Sequence, residues 1–135
     1  MRHDDCIFCK IANGEIPSAT IYEDDDFRVF LDLNPATRGH ALLVPKDHFA
    51  NLLELDEEHA EKAILLAKKI GSRMKEKLDC DGLNLVQNNG EAAGQTVFHM
   101  HLIPRYENDG AGIGWKQGAL TDDAKEELVE LLKDN

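Results

Sequence analysis

Gly94-Gln95-Thr96-Val97-Phe98-His99-Met100-His101-Leu102-Ile103-Pro104-Arg105 is the stretch whose reading decides the fold. A Gly-Gln-Thr turn runs into a β-branched and aromatic segment that stops at Pro104, the pattern of a strand entered from a turn. Side chains two apart in a strand point to one face, so His99 and His101 would stand side by side, about 6.5–7 Å apart. Two imidazoles are costly to bury idle, because each ring nitrogen needs a partner. Placed behind a glycine-containing turn, the pair is a candidate working site.

Upstream of this strand, 83–86 reads as another, ending in the amide-rich turn Gln87-Asn88-Asn89-Gly90. Before that, Asp56 caps a long helix to about Leu78. Ala60, Ala63, Ile64, Ala67, Ile70, Met74 and Leu78 recur on it at three- and four-residue steps. Residues 19–23 and 27–33 read as a hairpin around Asp24-Asp25-Asp26, and 40–45 as a third strand after Gly39. A short helix over 5–14 is expected, capped by Asp5 and ended by Gly14. Downstream, 107–118 is a glycine-rich loop carrying Trp115, and Thr121 caps a last helix with Leu128, Leu131 and Leu132. Turn-length links between the early strands predict an α+β fold, an antiparallel five-stranded meander with one long and two shorter helices.

At 135 residues the chain is read as one domain, 1–135, with a core over about 5–105 and a loop and helix over 106–135. Its 42% hydrophobic and 30% charged residues are those of a soluble globular protein. The chain shows no apolar run of membrane-spanning length, and the acidic N-terminus does not read as a signal peptide, so a cytoplasmic address without membrane partners is expected. Net charge is −11, from 15 basic and 26 acidic residues, which argues against nucleic acid as a partner. A small phosphorylated ligand held by backbone N–H groups remains compatible with it. Cys6 and Cys9 form a C-x-x-C pair, a metal or redox signal in a reducing compartment. Cys80 reads as a small buried apolar residue, and His3 and His59 as solvated.

The central stretch resembles the signature of the histidine-triad (HIT) nucleotide-binding proteins. So do Cys6-Ile7-Phe8-Cys9-Lys10-Ile11 with Glu15-Ile16-Pro17, Phe30-Leu31-Asp32-Leu33-Asn34-Pro35, and Gly39-His40 leading to Val44-Pro45-Lys46-Asp47-His48. The resemblance implies the HIT α+β sheet, with two copies joined through the long helix and the adjacent strand into a continuous sheet. It implies a purine nucleoside monophosphate moiety as ligand, and cleavage at its α-phosphate through a nucleotidyl-histidine. The substrates would be phosphoramidates, nucleotidyl esters or dinucleoside polyphosphates. His101, His99 and His40 would be the catalytic set. Asp32 would hold the ribose, and Ile7, Phe8, Ile11 and Leu33 would line the base pocket. Asn88, Gln95 and Thr96 would sit on the phosphate side. It also implies a structural zinc on Cys6, Cys9, His48 and His99, and no organic cofactor.

The chain departs from the family pattern in the triad. Two alternating histidines stand where the family has three, in a segment two residues shorter. Counting forward from Gly94-Gln95, His99 is the first histidine, His101 the nucleophile, and Ile103 fills the third position. Counting back from Ile103-Pro104-Arg105, His99 is the nucleophile, His101 the third, and Val97 replaces the first. A two-residue deletion preserves facing in either frame. The forward count keeps the spacing of Gln95 and Thr96 to the nucleophile and is the one preferred on sequence. It leaves two further readings open: a nucleotide-binding sensor or adaptor whose chemistry lapsed with the third histidine, and a thiol protein exchanging electrons at Cys6 and Cys9.

Overall fold

A computed structural model describes residues 6–133 of the chain. Asp5 and His3, assigned above to a helix cap and to solvent, lie outside the described residues. The elements are α1 (Ile7–Ala12), β1 (Thr20–Glu23), β2 (Phe27–Leu31), β3 (Ala41–Pro45), α2 (Glu57–Leu78), β4 (Gly82–Gln87), β5 (Met100–Arg105) and α3 (Asp122–Leu132). Short 3-10 turns cover Leu52–Glu54 and Glu91–Ala93.

The five strands form one antiparallel sheet in the order β1-β2-β3-β5-β4. The expected five-stranded antiparallel α+β fold is what the chain adopts, with one difference in path. After β3 the chain leaves through α2, takes the edge as β4, and only then inserts β5 beside β3. Turn chemistry predicts which strands form hairpins; it carries no information on which strand fills the gap left by a helical excursion.

Alternation of side chains sorts the two faces. Phe27, Val29, Leu43, Met100 and Leu102 pack with Ile70 and Met74 of α2 in the larger core. Phe30, Leu42 and Val44 face the other way, against Ala12, Phe8 and Ile11 of α1. Because His101 stands opposite Leu42 in the β3–β5 ladder, it falls on the α1 face. The strand itself starts only at Met100, so His99 precedes it; Gly94, with φ +87°, ends the 3-10 turn before it.

Asp56 caps α2 through its side chain on the His59 amide, as the sequence suggests. The buried stripe of α2 is Ala63, Leu66, Ala67, Ile70, Gly71 and Met74, and Ile64 is 52% exposed at its margin. Leu66 takes the place expected of Ile64, because the sheet selects one side of a helix that carries leucine and isoleucine at three successive positions. His59 is also less solvated than expected: its ring lies 4.9 Å from Phe49 and its Nδ1 is 2.7 Å from Asp56. Cys80 is buried, as expected of it.

Two devices aim the site. Asn13 donates from Nδ2 to the carbonyls of Cys9 and Lys46, tying the end of α1 to the end of β3. The link from β2 to β3 is held by the Asp32 N–H on the His40 carbonyl and by Thr37 Oγ1 donating to the Pro104 carbonyl. Gly39 in that link has φ +93°, and a Cβ there would lie 2.5 Å from Leu78 Cδ1 and 3.3 Å from Pro104 Cγ. Gly39→Ala should therefore cost about 3 kcal/mol through left-handed strain and overpacking. A Tm about 10 °C lower, measured by calorimetry, is the expected result; an unchanged Tm would mean the turn relaxes freely.

Candidate active site

Three imidazoles meet on the α1 face. His40 Nε2 lies 2.9 Å from His101 Nδ1, and the His99 and His101 rings meet edge-on at 4.9 Å. His99 is 3% exposed and stacks on Phe8, with ring centroids 4.5 Å apart and planes 16° apart. Burial, as the largest cause, pushes the pKa of all three below the ordinary histidine value; a nearby Asp32 carboxylate opposes it. For His101 the neighbouring His99 and His40 add to burial, and the value falls to about 4. All three rings are therefore neutral near pH 7 in the free protein.

Neutral rings carry one hydrogen each, and the partners decide where it sits. The Ala36 backbone N–H donates to His40 Nδ1 at 2.9 Å, so the His40 hydrogen is on Nε2. That hydrogen points at His101 Nδ1, which accepts it and leaves the His101 hydrogen on Nε2. His99 is the reverse case. Its Nδ1 faces the Val97 carbonyl at 3.0 Å, and a carbonyl only accepts, so Nδ1 carries the hydrogen and Nε2 the lone pair. The two histidines of the central stretch hold opposite tautomers, one presenting a lone pair and the other a hydrogen-bond donor.

The His101 shift has a stability consequence. Between pH 6.5 and about 4 the unfolded chain binds a proton at this position that the folded chain does not, so stability falls as pH drops through that window. It is fully present above pH 6.5. The Tm of His101→Gln should fall less steeply than that of the unsubstituted protein between pH 6.5 and 4.5; parallel Tm profiles would refute the depressed pKa.

Beside the histidines lies a cleft of about 470 Å³, apolar on most of its wall. Ile7, Phe8, Ile11, Asp32 and Leu33, singled out from the sequence, all line it. Pro17, Ser18, Ala19 and Asn34 also line it and were not anticipated, because nothing in their local pattern separates a pocket wall from a loop. Phe8 and Asp32 join the cleft to the histidines: Phe8 stacks on His99, and Asp32 Oδ2 lies 3.6 Å from His40 Nε2.

A profile of the HIT domain matches residues 13–108. The chain belongs to the HIT domain family. A solved Streptococcus mutans protein superposes with a TM-score of 0.88 at 40% identity, over 96% of this HIT chain and 84% of its own. A Zn-bound histidine triad family protein from Mycobacterium smegmatis superposes with a TM-score of 0.75 at 35% identity, over 90% and 86%. An adenosine 5'-monophosphoramidase from Saccharomyces cerevisiae is 43% identical over 113 residues, 82% of this chain and 69% of that one.

Several residues that the HIT resemblance assigns to the phosphate side stand apart from the cleft wall. Gln95 forms an isolated bridge with Gly90, Thr96 is exposed, and the Asn88 carbonyl accepts from Gln87 Nε2. Of the four proposed metal donors, Cys6, Cys9 and His48 converge, their ligand atoms all within 4.8 Å of one another. Cys9 Sγ lies 3.3 Å from His48 Nδ1, and Cys6 Sγ accepts the Cys9 amide at the start of α1. His99 is not in this group; its Nδ1 is engaged by Val97 and its ring by Phe8. Asp32, His40 and His101 also offer donors within 4.8 Å. The Ala36 amide on His40 Nδ1 forces a hydrogen onto Nε2, however, so that trio shares protons and has no lone pair there for a cation.

Proposed function

We propose that this HIT protein is a nucleotidyl hydrolase or transferase that cleaves at the α-phosphate of adenosine phosphoramidates or related nucleotides, with His99 as nucleophile. The observation that carries this reading is the opposed tautomers of His99 and His101. The lone pair on His99 Nε2 attacks phosphorus while the Val97 carbonyl keeps the hydrogen of Nδ1 in place. As the bond to the leaving group breaks, the departing nitrogen takes its proton from solvent, and His101 Nε2–H, its tautomer held by His40, donates a hydrogen bond that positions the group. Water then attacks the phosphorus and loses its proton to solvent, the bond to His99 Nε2 breaks and returns the lone pair to that nitrogen, and the nucleoside monophosphate leaves. This is the backward frame, in which Val97 stands where the family has its first histidine. It replaces the forward frame preferred on sequence, because tautomers follow from spatial partners and not from spacing.

The apolar cleft suits a purine, with Phe8 and Ile11 against the base and Asp32 placed to accept from ribose hydroxyls. The cleavage named for the yeast relative supports an amidate as the scissile group. Cys6, Cys9 and His48 fit zinc, since two thiolates and an imidazole are three of the four donors of a tetrahedral structural site. Metal there would brace α1 against the chain beyond β3 and so hold Phe8 over His99. The protein incubated with an adenosine phosphoramidate should release amine in a burst and carry one covalent AMP per chain, read by intact mass. A burst-free time course with nucleotide binding intact would favour the sensor or adaptor reading, to which the 3% exposure of His99 lends weight.

A further inference from the structure

Metal bound at Cys6, Cys9 and His48 needs a fourth donor to complete a tetrahedron. The imidazole expected to supply it is engaged elsewhere. His99 is buried, its ring stacks on Phe8 at 4.5 Å, and its Nδ1–H is given to the Val97 carbonyl. Among the described residues, no other histidine, cysteine, aspartate or glutamate joins the cluster in which the ligand atoms of Cys6, Cys9 and His48 all lie within 4.8 Å of one another.

The segment around His99 offers no substitute. The Phe98 amide donates to the Phe49 carbonyl at 2.8 Å, which ties residues 97–99 to the chain directly after His48. Val97 and Phe98, the other two side chains of that segment, carry no ligand atom.

The donor set points the same way. Zinc sites closed by the protein use four side chains, whereas two thiolates and one imidazole are the set of zinc centres that leave a position for water or a small molecule. A centre already bound by two thiolates favours a further soft sulfur donor over carboxylate or phosphate oxygen. Both cysteines are buried and His48 is the partly exposed member, so access is from the His48 side and suits a small ligand.

We infer that metal at Cys6, Cys9 and His48 keeps its fourth position exchangeable, and that a small monodentate thiolate takes it from solvent. The thiol gives its proton to solvent, and its sulfur displaces the water that otherwise completes the tetrahedron. The inference rests on the zinc reading above and is independent of the chemistry at His99.

The test loads the full chain with cobalt(II) in oxygen-free buffer and titrates 2-mercaptoethanol while absorbance is followed. The thiolate charge-transfer band should rise by about half as the sulfur donors go from two to three, and should saturate as a one-site isotherm. Native mass spectrometry of the zinc form should show one chain, one zinc and one thiol, a complex that Cys9→Ser lacks. His99→Ala and His3→Ala should keep both the cobalt spectrum and the thiol response. Cobalt that stays bound but ignores the thiol, or is stripped by it, would overturn the inference and leave the zinc reading standing. So would a thiol response gained only in His99→Ala or in His3→Ala, because that histidine would then be the fourth ligand. A chain that takes up neither cobalt nor zinc would overturn both.

Discussion

His99→Ala should abolish the covalent AMP adduct and lower turnover by about 10⁴-fold or more, as loss of a nucleophile does. His101→Ala should behave differently. With a phenolate leaving group, which departs without a proton, the adduct should still form; with an alkylamine the rate should fall about 10²-fold or more, the contribution of a hydrogen bond that positions the leaving nitrogen for protonation. The contrast follows from the hydrogen-bond partners. A carbonyl behind His99 Nδ1 and an imidazole N–H behind His101 Nδ1 place a lone pair on one outward nitrogen and a hydrogen on the other. Intact mass after a short incubation reads the adduct, and rates against leaving-group basicity read the hydrogen bond. An adduct that survives in His99→Ala and vanishes in His101→Ala would return the nucleophile to His101 and restore the forward frame.

Cys9→Ser should lower both metal content and thermal stability. Zinc held at a free concentration about 100 times its Kd adds about 2.7 kcal/mol to the folded state, so the Tm should fall by about 10 °C. Native mass spectrometry should find one zinc per chain in the unsubstituted protein and none in Cys9→Ser. Cobalt in place of zinc should give thiolate charge-transfer absorption that Cys9→Ser removes. His99→Ala is the informative companion. The four-donor set expected from the resemblance makes it lose zinc, whereas the convergence of Cys6, Cys9 and His48 alone makes it keep zinc while losing the adduct. A reversible Cys6–Cys9 disulfide in metal-free protein, with no zinc taken up, would support the electron-exchange reading instead.

Much of this molecule is legible along the chain because the signals are local. Asp56 caps α2, Gly14 and Gly39 take positive φ, and alternation within β2, β3 and β5 sorts core from site. The pocket wall of Ile7, Phe8, Ile11, Asp32 and Leu33 was legible for another reason: short motifs kept in family order carry it. Ile64 and His59 were misplaced because periodicity says that a helix has an apolar side but not which neighbour presses on it.

The residue sequence by itself determined the α+β class, the order of the elements, the C-x-x-C spacing of Cys6 and Cys9, and the presence of two alternating histidines in the central stretch. Tertiary structure alone decided the insertion of β5 between β3 and β4, the absence of His99 from the Cys6, Cys9 and His48 group, and the tautomer of each imidazole. Caps, turns and facing arise from bonds and sterics a few residues apart. A proton's position on His101 is instead set by a ring 61 residues away, itself oriented by the amide of Ala36.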